Sequence, residues 1–323
     1  MKIPSSMDKA VARETIIPAQ VGHISGSTLM KHKKTWRIWG GACFAIILLG
    51  GFAQPLLALI NYAAGSDLYS YILLIPFVSA YLLYLRRNQL PKDYVVDRPL
   101  AMAFLAAGFG VLAFRYWLHF VGQSPAKADD LALETVSFLC ILAAGGFFFL
   151  GRVWMQAAAF PLAYLIFMVP MPDAMAEALE TASKYASAEV ANVLFHVTRT
   201  PFLRGGLIFQ LPNITIEVAQ ECSGIRSSWV LLMTSILAAN LFLKTSWRRI
   251  VLVAFVIPLA ILRNGFRILV IGLLCVNLGP QMIHSVIHRR GGPVFFVLSL
   301  IPLLLLLWWL QRGETRTRSR ESR

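Results

Sequence analysis

Charged side chains are scarce in this sequence. Only 14% of its 323 residues are Asp, Glu, Lys or Arg, whereas 57% are hydrophobic and the mean hydropathy is +0.65. A soluble domain usually carries roughly 25% charged residues. The scarcity therefore excludes a water-soluble protein that hides its apolar surface in one core. The composition predicts an all-α protein that crosses a membrane several times.

Long apolar runs supply the segments that could cross the membrane. A hydrocarbon core of roughly 30 Å requires about 20 apolar residues in each helix. We therefore expect about eight transmembrane helices. The runs cover residues 37–60, 69–85, 99–121, 131–150, 154–171, 227–243, 250–278 and 292–311.

Acidic residues are particularly few, and the basic residues are unevenly placed. The chain has 16 Asp and Glu against 30 Lys and Arg, which gives a net charge of +14. Basic clusters occur at 31–37, 86–93, 244–249 and 312–323. Because successive spans alternate in direction, all four clusters are expected on the same side of the membrane. The positive-inside rule makes that side cytoplasmic, and with it both termini. The charge thus indicates topology and contact with anionic membrane lipid, and we expect no nucleic-acid partner.

The chain divides into two tails and one membrane domain. Residues 1–35 are polar and lack the apolar run of a signal peptide, so we expect a disordered cytoplasmic tail. Residues 36–311 form the transmembrane domain, and residues 312–323 form a basic cytoplasmic tail. No internal repeat is evident, which argues against a transporter built from two halves.

One long connection, residues 172–225, is expected on the outer side. It begins with a helical pattern that ends before Pro201, in which Leu179, Ala182, Ala186, Val190, Val193 and Val197 form an apolar stripe. This pattern predicts an amphipathic helix at the outer interface or packed on the bundle. Alternating residues in 205–220 then predict a short β-hairpin directly before the sixth span.

Cysteine is rare, and one of the four cysteines has an unusual position. Cys43, Cys140 and Cys275 lie within apolar runs, where they are most simply small buried hydrophobic residues. Cys222 instead lies in "QECSGIRSSW", at the outer start of the sixth span. A helix N-terminus and a nearby Arg226 would lower the pKa of its thiol. The same residues also fit a cysteine that only caps and packs a helix.

Two arginines lie within the seventh span, in "LRNGFRILVIG" (262–272). A charge at the bilayer centre costs a few kcal/mol, so such residues usually face a polar interior with a partner. A rise of 1.5 Å per residue places Arg267 about 25 Å along this span, in its outer part. Arg263 lies one turn deeper on the same face. A structural ion pair or snorkelling to the interface would also explain these arginines.

The third polar segment is "HSVIHRRGGPVFF" (284–296), before the last span. His284 and His288 have metal-ligand spacing, but no second His or carboxylate cluster accompanies them, so we expect no metal. An imidazole at the water boundary could act as a general acid or base. Arg289 and Arg290 oppose the positive-inside rule, which suggests that anionic charge is stabilised there.

The expected topology brings Cys222, Arg267 and His288 to one membrane level from three successive helices. A thiol, a guanidinium and an imidazole are the nucleophile, oxyanion donor and proton shuttle that acyl transfer through a thioester requires. The convergence predicts a catalytic site at the outer surface.

These segments resemble the exosortase/archaeosortase family of integral-membrane cysteine transpeptidases. The similarity lies in "ECSGIRS", "RNGFRI" and "HRRGGPVFF", and with the eight-span layout it extends from about 37 to 311. It implies that Cys222 is the nucleophile and His288 the catalytic histidine. Arg267 fits the Asn-x-x-Arg form of the motif and is preferred, while Arg263 fits a form with arginine before asparagine. We expect the substrate to be bound by Ser223, Gly224, Arg226 and Asn264.

The resemblance also implies the substrate and the cellular location. Substrates of the family carry a short C-terminal recognition motif, a hydrophobic helix and a basic tail, and the cleaved protein passes to an acceptor, here unknown. The family implies a bacterial or archaeal plasma membrane, an outward-facing active site, and no metal or organic cofactor. Two alternatives stay open, namely a cysteine protease that uses water as acceptor, and a small-molecule or anion transporter that uses Arg263 and Arg267.

Overall fold

The computed structural model describes residues 26–66, 68–91, 95–212, 214–218, 224–279, 281 and 292–321, with side chains described from 39 to 315. Most of these residues are helical. The helices are α1 (Gly26–Gly51), α2 (Ala53–Gly65), α3 (Ile75–Arg86), α4 (Arg98–Phe120), α5 (Lys127–Phe149), α6 (Arg152–Ala157), α7 (Ala159–Tyr164), α8 (Asp173–Val197), α9 (Ile225–Phe242), α10 (Ser246–Ala254), α11 (Val256–Leu278) and α12 (Gly292–Glu321). The fold is the all-α, multi-span class that the composition predicts.

The described helices provide five to seven candidate spans. Five stretches are long and apolar enough to cross a membrane alone, and two bent helix pairs raise the number to seven. The expected span at 69–85 contains a 3₁₀ turn (Ser70–Leu74) and the 12-residue α3. Pro76 lies in the first turn of α3, where its missing N–H is tolerated. The expected span at 154–171 is divided into α6, α7 and a 3₁₀ turn, so the number eight stays a prediction.

One end of the bundle, here called the basic end, joins the basic connections. Arg86 Nη2 donates to Asn240 Oδ1 at 2.7 Å, which links the end of α3 to the end of α9. The Glu314 carboxylate of α12 accepts the backbone N–H of Thr245 at 2.7 Å, just before α10. The ends of α3, α9 and α12 therefore lie at the same end of the bundle, as the charge pattern predicts for one side of a membrane.

The opposite end, here called the acidic end, carries paired carboxylates. Arg115 near the end of α4 binds Asp130 at 2.7 Å and Glu134 at 3.0 Å on α5. Asp129 Oδ1 accepts the backbone N–H of Asp173 at 2.9 Å, which attaches the start of α8 to the start of α5. This end holds the connections that the sequence analysis places outside.

A small antiparallel sheet lies between α8 and α9 in the chain. Its strands are β1 (Leu203–Gly205), β2 (Ile208–Leu211) and β3 (Ile214–Glu217), in the order β1-β2-β3. Strands β2 and β3 occupy the region of the expected hairpin, with Phe209 opposite Ile216. Both of these side chains are buried in a cluster with residues of α8 and α11. The sheet therefore packs on the helices rather than standing free.

Helix α8 packs closely on α11 through small residues. A Cβ at Gly265 would lie 2.5 Å from Val190 Cγ1, and one at Gly272 would lie 2.7 Å from Phe195 Cζ. Glycines at helix contacts allow this close approach within membranes. Of the two placements expected for this helix, the structure has the packed one.

The buried face of α8 differs from the expected apolar stripe. The buried residues are Ser187, Ala188, Ala191 and Phe195. Of the expected stripe, Val190 contacts α11, whereas Val193 and Val197 are 58% and 73% exposed. Small side chains face the neighbouring helix because backbone proximity determines the packing, and larger apolar side chains can face lipid.

Helices α10 and α11 form one stretch, Ser246–Leu278, of 33 residues. At 1.5 Å per residue this stretch is roughly 50 Å long, which exceeds a hydrocarbon core of about 30 Å. Part of it must therefore lie beyond the hydrocarbon. Its half towards the acidic end packs against α8 and the sheet, where Ile268, Ile271 and Cys275 are buried.

The three cysteines within apolar runs have different environments. Cys275 is buried, Cys140 is half-buried and Cys43 is exposed on α1. The expected burial of Cys43 was wrong, because an apolar side chain on a membrane helix can face lipid as well as protein.

The helical ends extend into both expected tails. Helix α1 begins at Gly26, before the expected boundary at residue 35, and α12 continues to Glu321. Adding a residue to an existing helix is far easier than nucleating one, which favours such extensions. Residues 1–25 lie outside the described part of the chain.

Candidate active site

The polar start of α9 lies at the acidic end of the bundle. Gly224 precedes the helix with φ +64° and ψ 12°, a left-handed conformation. Glycine adopts this conformation without the steric cost that a Cβ brings. Its space is also limited, since a Cβ there would lie 3.0 Å from Asn264 Oδ1 and 3.1 Å from Arg263 Nη2. Both conformation and packing therefore require glycine here.

Arg263 attaches this first turn to α11. Its Nη2 donates to Gly224 O at 3.1 Å and to Ser228 Oγ at 3.0 Å. The same carbonyl accepts the hydroxyls of Ser227 at 3.0 Å and Ser228 at 2.9 Å. Arg263 is only 7% exposed, and its Nη1 has no hydrogen-bond partner among the described residues. A buried cation thus lies directly beneath the start of α9.

Asn264 connects α11 to α8, the third helix of the site. It is 2% exposed, and its Nδ2 donates to Ser187 Oγ of α8 at 3.0 Å in a fully buried position. A buried amide without a partner costs several kcal/mol in an apolar environment, so this bond fixes the pairing of α8 and α11. Adjacent residues of α11 therefore connect two different helices, α9 through Arg263 and α8 through Asn264.

Arg267 and Arg226 are the other expected site residues that the structure describes. Arg267 is half-buried and lies one turn nearer the acidic end than Arg263. Arg226 is exposed, and its Nη2 donates to Ser70 Oγ at 3.3 Å. Gly224, Arg263 and Asn264 thus come together, whereas Arg226 contacts the 3₁₀ turn before α3. The remaining expected residues lie outside the described part of the chain: Cys222, Ser223, His284, His288, Arg289 and Arg290.

Two serines in this site were not selected by sequence reasoning. Ser228 Oγ accepts from Arg263, and Ser187 Oγ accepts from Asn264. Ser228 follows Gly224 by four residues and could have been found as a polar residue on that face of a span. The sequence around Ser187 does not indicate a buried polar contact, because Ser187 lies between alanines in a helix that also carries charged residues.

A match to a known protein family covers these site residues. A family model described as transmembrane exosortase matches residues 61–305. The chain belongs to the transmembrane exosortase family. The match includes Gly224, Arg263, Asn264 and Arg267, as well as the segments around Cys222 and His288. No curated protein and no solved structure matches this exosortase.

Replacing Gly224 with alanine is expected to destabilise the exosortase. A left-handed conformation costs about 1–2 kcal/mol for a residue with a Cβ, and the added Cβ would also press on Asn264. The midpoint of thermal unfolding in detergent should fall. Gly110 on α4 is a suitable control, because a Cβ there meets nothing within 4 Å. Gly110→Ala should leave the midpoint unchanged or raise it, and equal midpoints for both variants would contradict the geometry.

Proposed function

We propose that this exosortase is a membrane cysteine transpeptidase whose nucleophile is Cys222. It recognises a C-terminal motif, transmembrane helix and basic tail on substrate proteins, cleaves at the motif, and transfers the protein to an acceptor. The acidic end, with the start of α9, faces the outside of a bacterial or archaeal plasma membrane. Family membership and the charge separation between the two ends support this proposal.

The observation that carries the proposal is the hydrogen bond from Arg263 to Gly224 O. Cys222 precedes Gly224 by two residues, and two residues of extended chain reach at most about 7 Å. Chain connectivity therefore limits the distance between the Cys222 backbone and Gly224, whose carbonyl accepts a hydrogen bond from a buried guanidinium. Nearby positive charge favours the reactive thiolate over the thiol.

The proposed reaction has two acyl-transfer steps. The Cys222 thiolate attacks the scissile carbonyl, and an arginine stabilises the resulting oxyanion. The C–N bond then breaks, protonated His288 gives its proton to the leaving amine, and a thioester remains on Cys222. The amine of the acceptor then attacks the thioester and gives a proton to His288. This attack forms the new amide bond and releases the Cys222 thiolate.

The two arginines should have separable roles. Arg263 is committed to Gly224 and Ser228, so Arg263→Ala should mainly lower stability, by roughly 1.5–3 kcal/mol for a lost charged hydrogen bond. Arg267 lies nearer the acidic end, and Arg267→Ala should lower the processing rate by roughly 10²–10³-fold, as for an oxyanion donor. Arg267→Lys should rescue poorly, because lysine lacks the planar fork.

Rates and unfolding midpoints of the purified variants separate these roles. A stable Arg263→Ala protein with a large loss of rate, beside an active Arg267→Ala protein, would reverse the assignment. The Nη1 of Arg263, which has no hydrogen-bond partner among the described residues, would then be the donor to the oxyanion.

Mass spectrometry of a co-expressed substrate tests the proposed function. The substrate should carry a C-terminal motif, helix and basic tail, and the wild-type enzyme should remove the helix and tail. With an added small amine, a transpeptidase gives the amide of that amine, whereas a protease gives only the free acid. An unaltered substrate in the presence of correctly inserted wild-type enzyme would contradict the proposal.

A further inference from the structure

A cavity lined by tryptophan and arginine side chains lies at the basic end. It has a volume of about 370 Å³ and lies between the start of α10 and the end of α12. Its lining includes Trp247, Arg248, Trp308, Trp309 and Arg312. It lies far from the candidate active site, which is at the opposite end. It is therefore a site distinct from the candidate active site.

Arg248 is held in place within this cavity. Its Nη1 donates to Leu310 O at 2.7 Å, and its guanidinium lies 5.2 Å from the Trp247 ring centroid. Gly313 permits this approach, since a Cβ there would lie 3.0 Å from Arg248 Nη1. The buried Nε of Arg248 has no hydrogen-bond partner among the described residues. The guanidinium is therefore fixed at the cavity wall, and its charge is available to an anionic ligand there.

Arg312 supplies a second cation with an apolar support. Its guanidinium lies 3.6 Å from the Trp308 ring centroid. Neither Arg312 nor Arg248 forms an ion pair with a carboxylate of the described residues. The nearby Glu314 carboxylate already accepts the backbone N–H groups of Lys244 and Thr245. Two cations thus share the cavity, and the adjacent Glu314 carboxylate, which interacts electrostatically with Arg248, is hydrogen-bonded to backbone N–H groups rather than to a guanidinium.

The tryptophans place this cavity at a membrane surface. Trp247, Trp308 and Trp309 are 54%, 49% and 64% exposed. Tryptophans concentrate at membrane interfaces, where one part of the ring contacts lipid and the N–H meets water. A ligand for this cavity must combine an anionic group for the guanidinium groups with an apolar body for the exposed rings. Inorganic phosphate has only the first of these features, whereas an anionic phospholipid has both.

We propose that this cavity binds the headgroup of one anionic phospholipid in the leaflet at the basic end. The phosphate oxygens accept hydrogen bonds from Arg248 and Arg312, and the acyl chains lie along the exposed apolar faces of α10 and α12. Guanidinium groups suit phosphate because their N–H donors match its oxygens. The bound lipid would join the start of α10 to the end of α12.

Native mass spectrometry of the full-length protein in detergent tests this proposal. The protein is titrated with phosphatidylglycerol, with zwitterionic phosphatidylcholine, and with phosphatidylglycerol in the presence of inorganic phosphate. One phosphatidylglycerol should bind tightly, phosphatidylcholine should bind weakly, and inorganic phosphate should not compete. Each arginine near an anionic surface contributes about 1 kcal/mol, so Arg312→Gln should weaken binding of that lipid about fivefold.

A matched variant separates this cavity from general attraction to basic residues. Arg87 lies at the same end, and its guanidinium stacks 3.9 Å from the Tyr84 ring centroid outside the cavity. Arg87→Gln removes the same charge and should leave the tight binding unchanged. Arg248→Gln should weaken it like Arg312→Gln, and elution of each variant at the wild-type volume establishes that it folds.

Three results would overturn the proposal. Equal weakening by Arg87→Gln and Arg312→Gln would mean diffuse electrostatics rather than a cavity. Equal binding of phosphatidylcholine would mean that lipid charge is not recognised. Displacement of the lipid by millimolar inorganic phosphate would make the ligand a free phosphate instead of a lipid.

Discussion

Replacement of Cys222 by alanine is expected to abolish substrate processing while the exosortase still folds and inserts. The thiol would be the atom that carries the acyl group, so no other residue could replace it in a covalent mechanism. Cys222→Ser should also be inactive, because a serine hydroxyl stays protonated under conditions in which a thiol ionises. Processing is measured as the fraction of a co-expressed substrate that loses its C-terminal helix.

The exosortase contains its own control for loss of a thiol. Cys43 is exposed on α1, away from the candidate active site, so Cys43→Ala should keep the wild-type rate. Substantial activity in Cys222→Ala would remove covalent catalysis by this residue.

His288 and His284 are expected to differ strongly, although they lie only four residues apart. His288→Ala should lower the rate by roughly 10²–10⁴-fold, the range for general acid–base catalysis. His284→Ala should have little effect, because His284 is four residues further from the final span in the sequence. The wild-type pH–rate profile should have a limb near about 6 to 7, the range in which an imidazole changes charge.

The pH–rate profiles of the two variants make this comparison decisive. His288→Ala should flatten the limb, while His284→Ala should retain it. Equal losses of rate in both would point to a metal that uses the pair as ligands. Zinc analysis of the purified protein would then decide between a bound metal and a proton shuttle.

Composition and charge predicted a multi-span membrane protein, and they predicted which connections lie together at each end of the bundle. Arg86 and Glu314 meet neighbouring helices at one end, and Asp129 and Asp173 meet at the other. Insertion into a membrane depends on summed hydropathy and on the charge of the connections, which are properties of the sequence alone. The same reasoning selected Arg263 and Asn264, because buried polar residues in a span require partners.

The identity of those partners could not be predicted, since it depends on how the helices pack. Asn264 pairs with Ser187 because Gly265 and Gly272 let α8 approach α11 closely. An apolar stripe describes only which residues avoid water. In a membrane both lipid and protein satisfy that preference, so hydropathy does not identify the packed face. Arg226 likewise contacts Ser70, which is distant in the sequence.

The most direct test of the central claim is the detection of a thioester on Cys222. Wild-type exosortase is mixed with substrate, quenched in acid, digested and examined by peptide mass spectrometry. The account predicts a Cys222 peptide that carries the acyl end of the cleaved substrate and loses it on treatment with hydroxylamine. A substrate that is processed at the wild-type rate while no Cys222 peptide is ever acylated, even without an acceptor amine, would contradict the account.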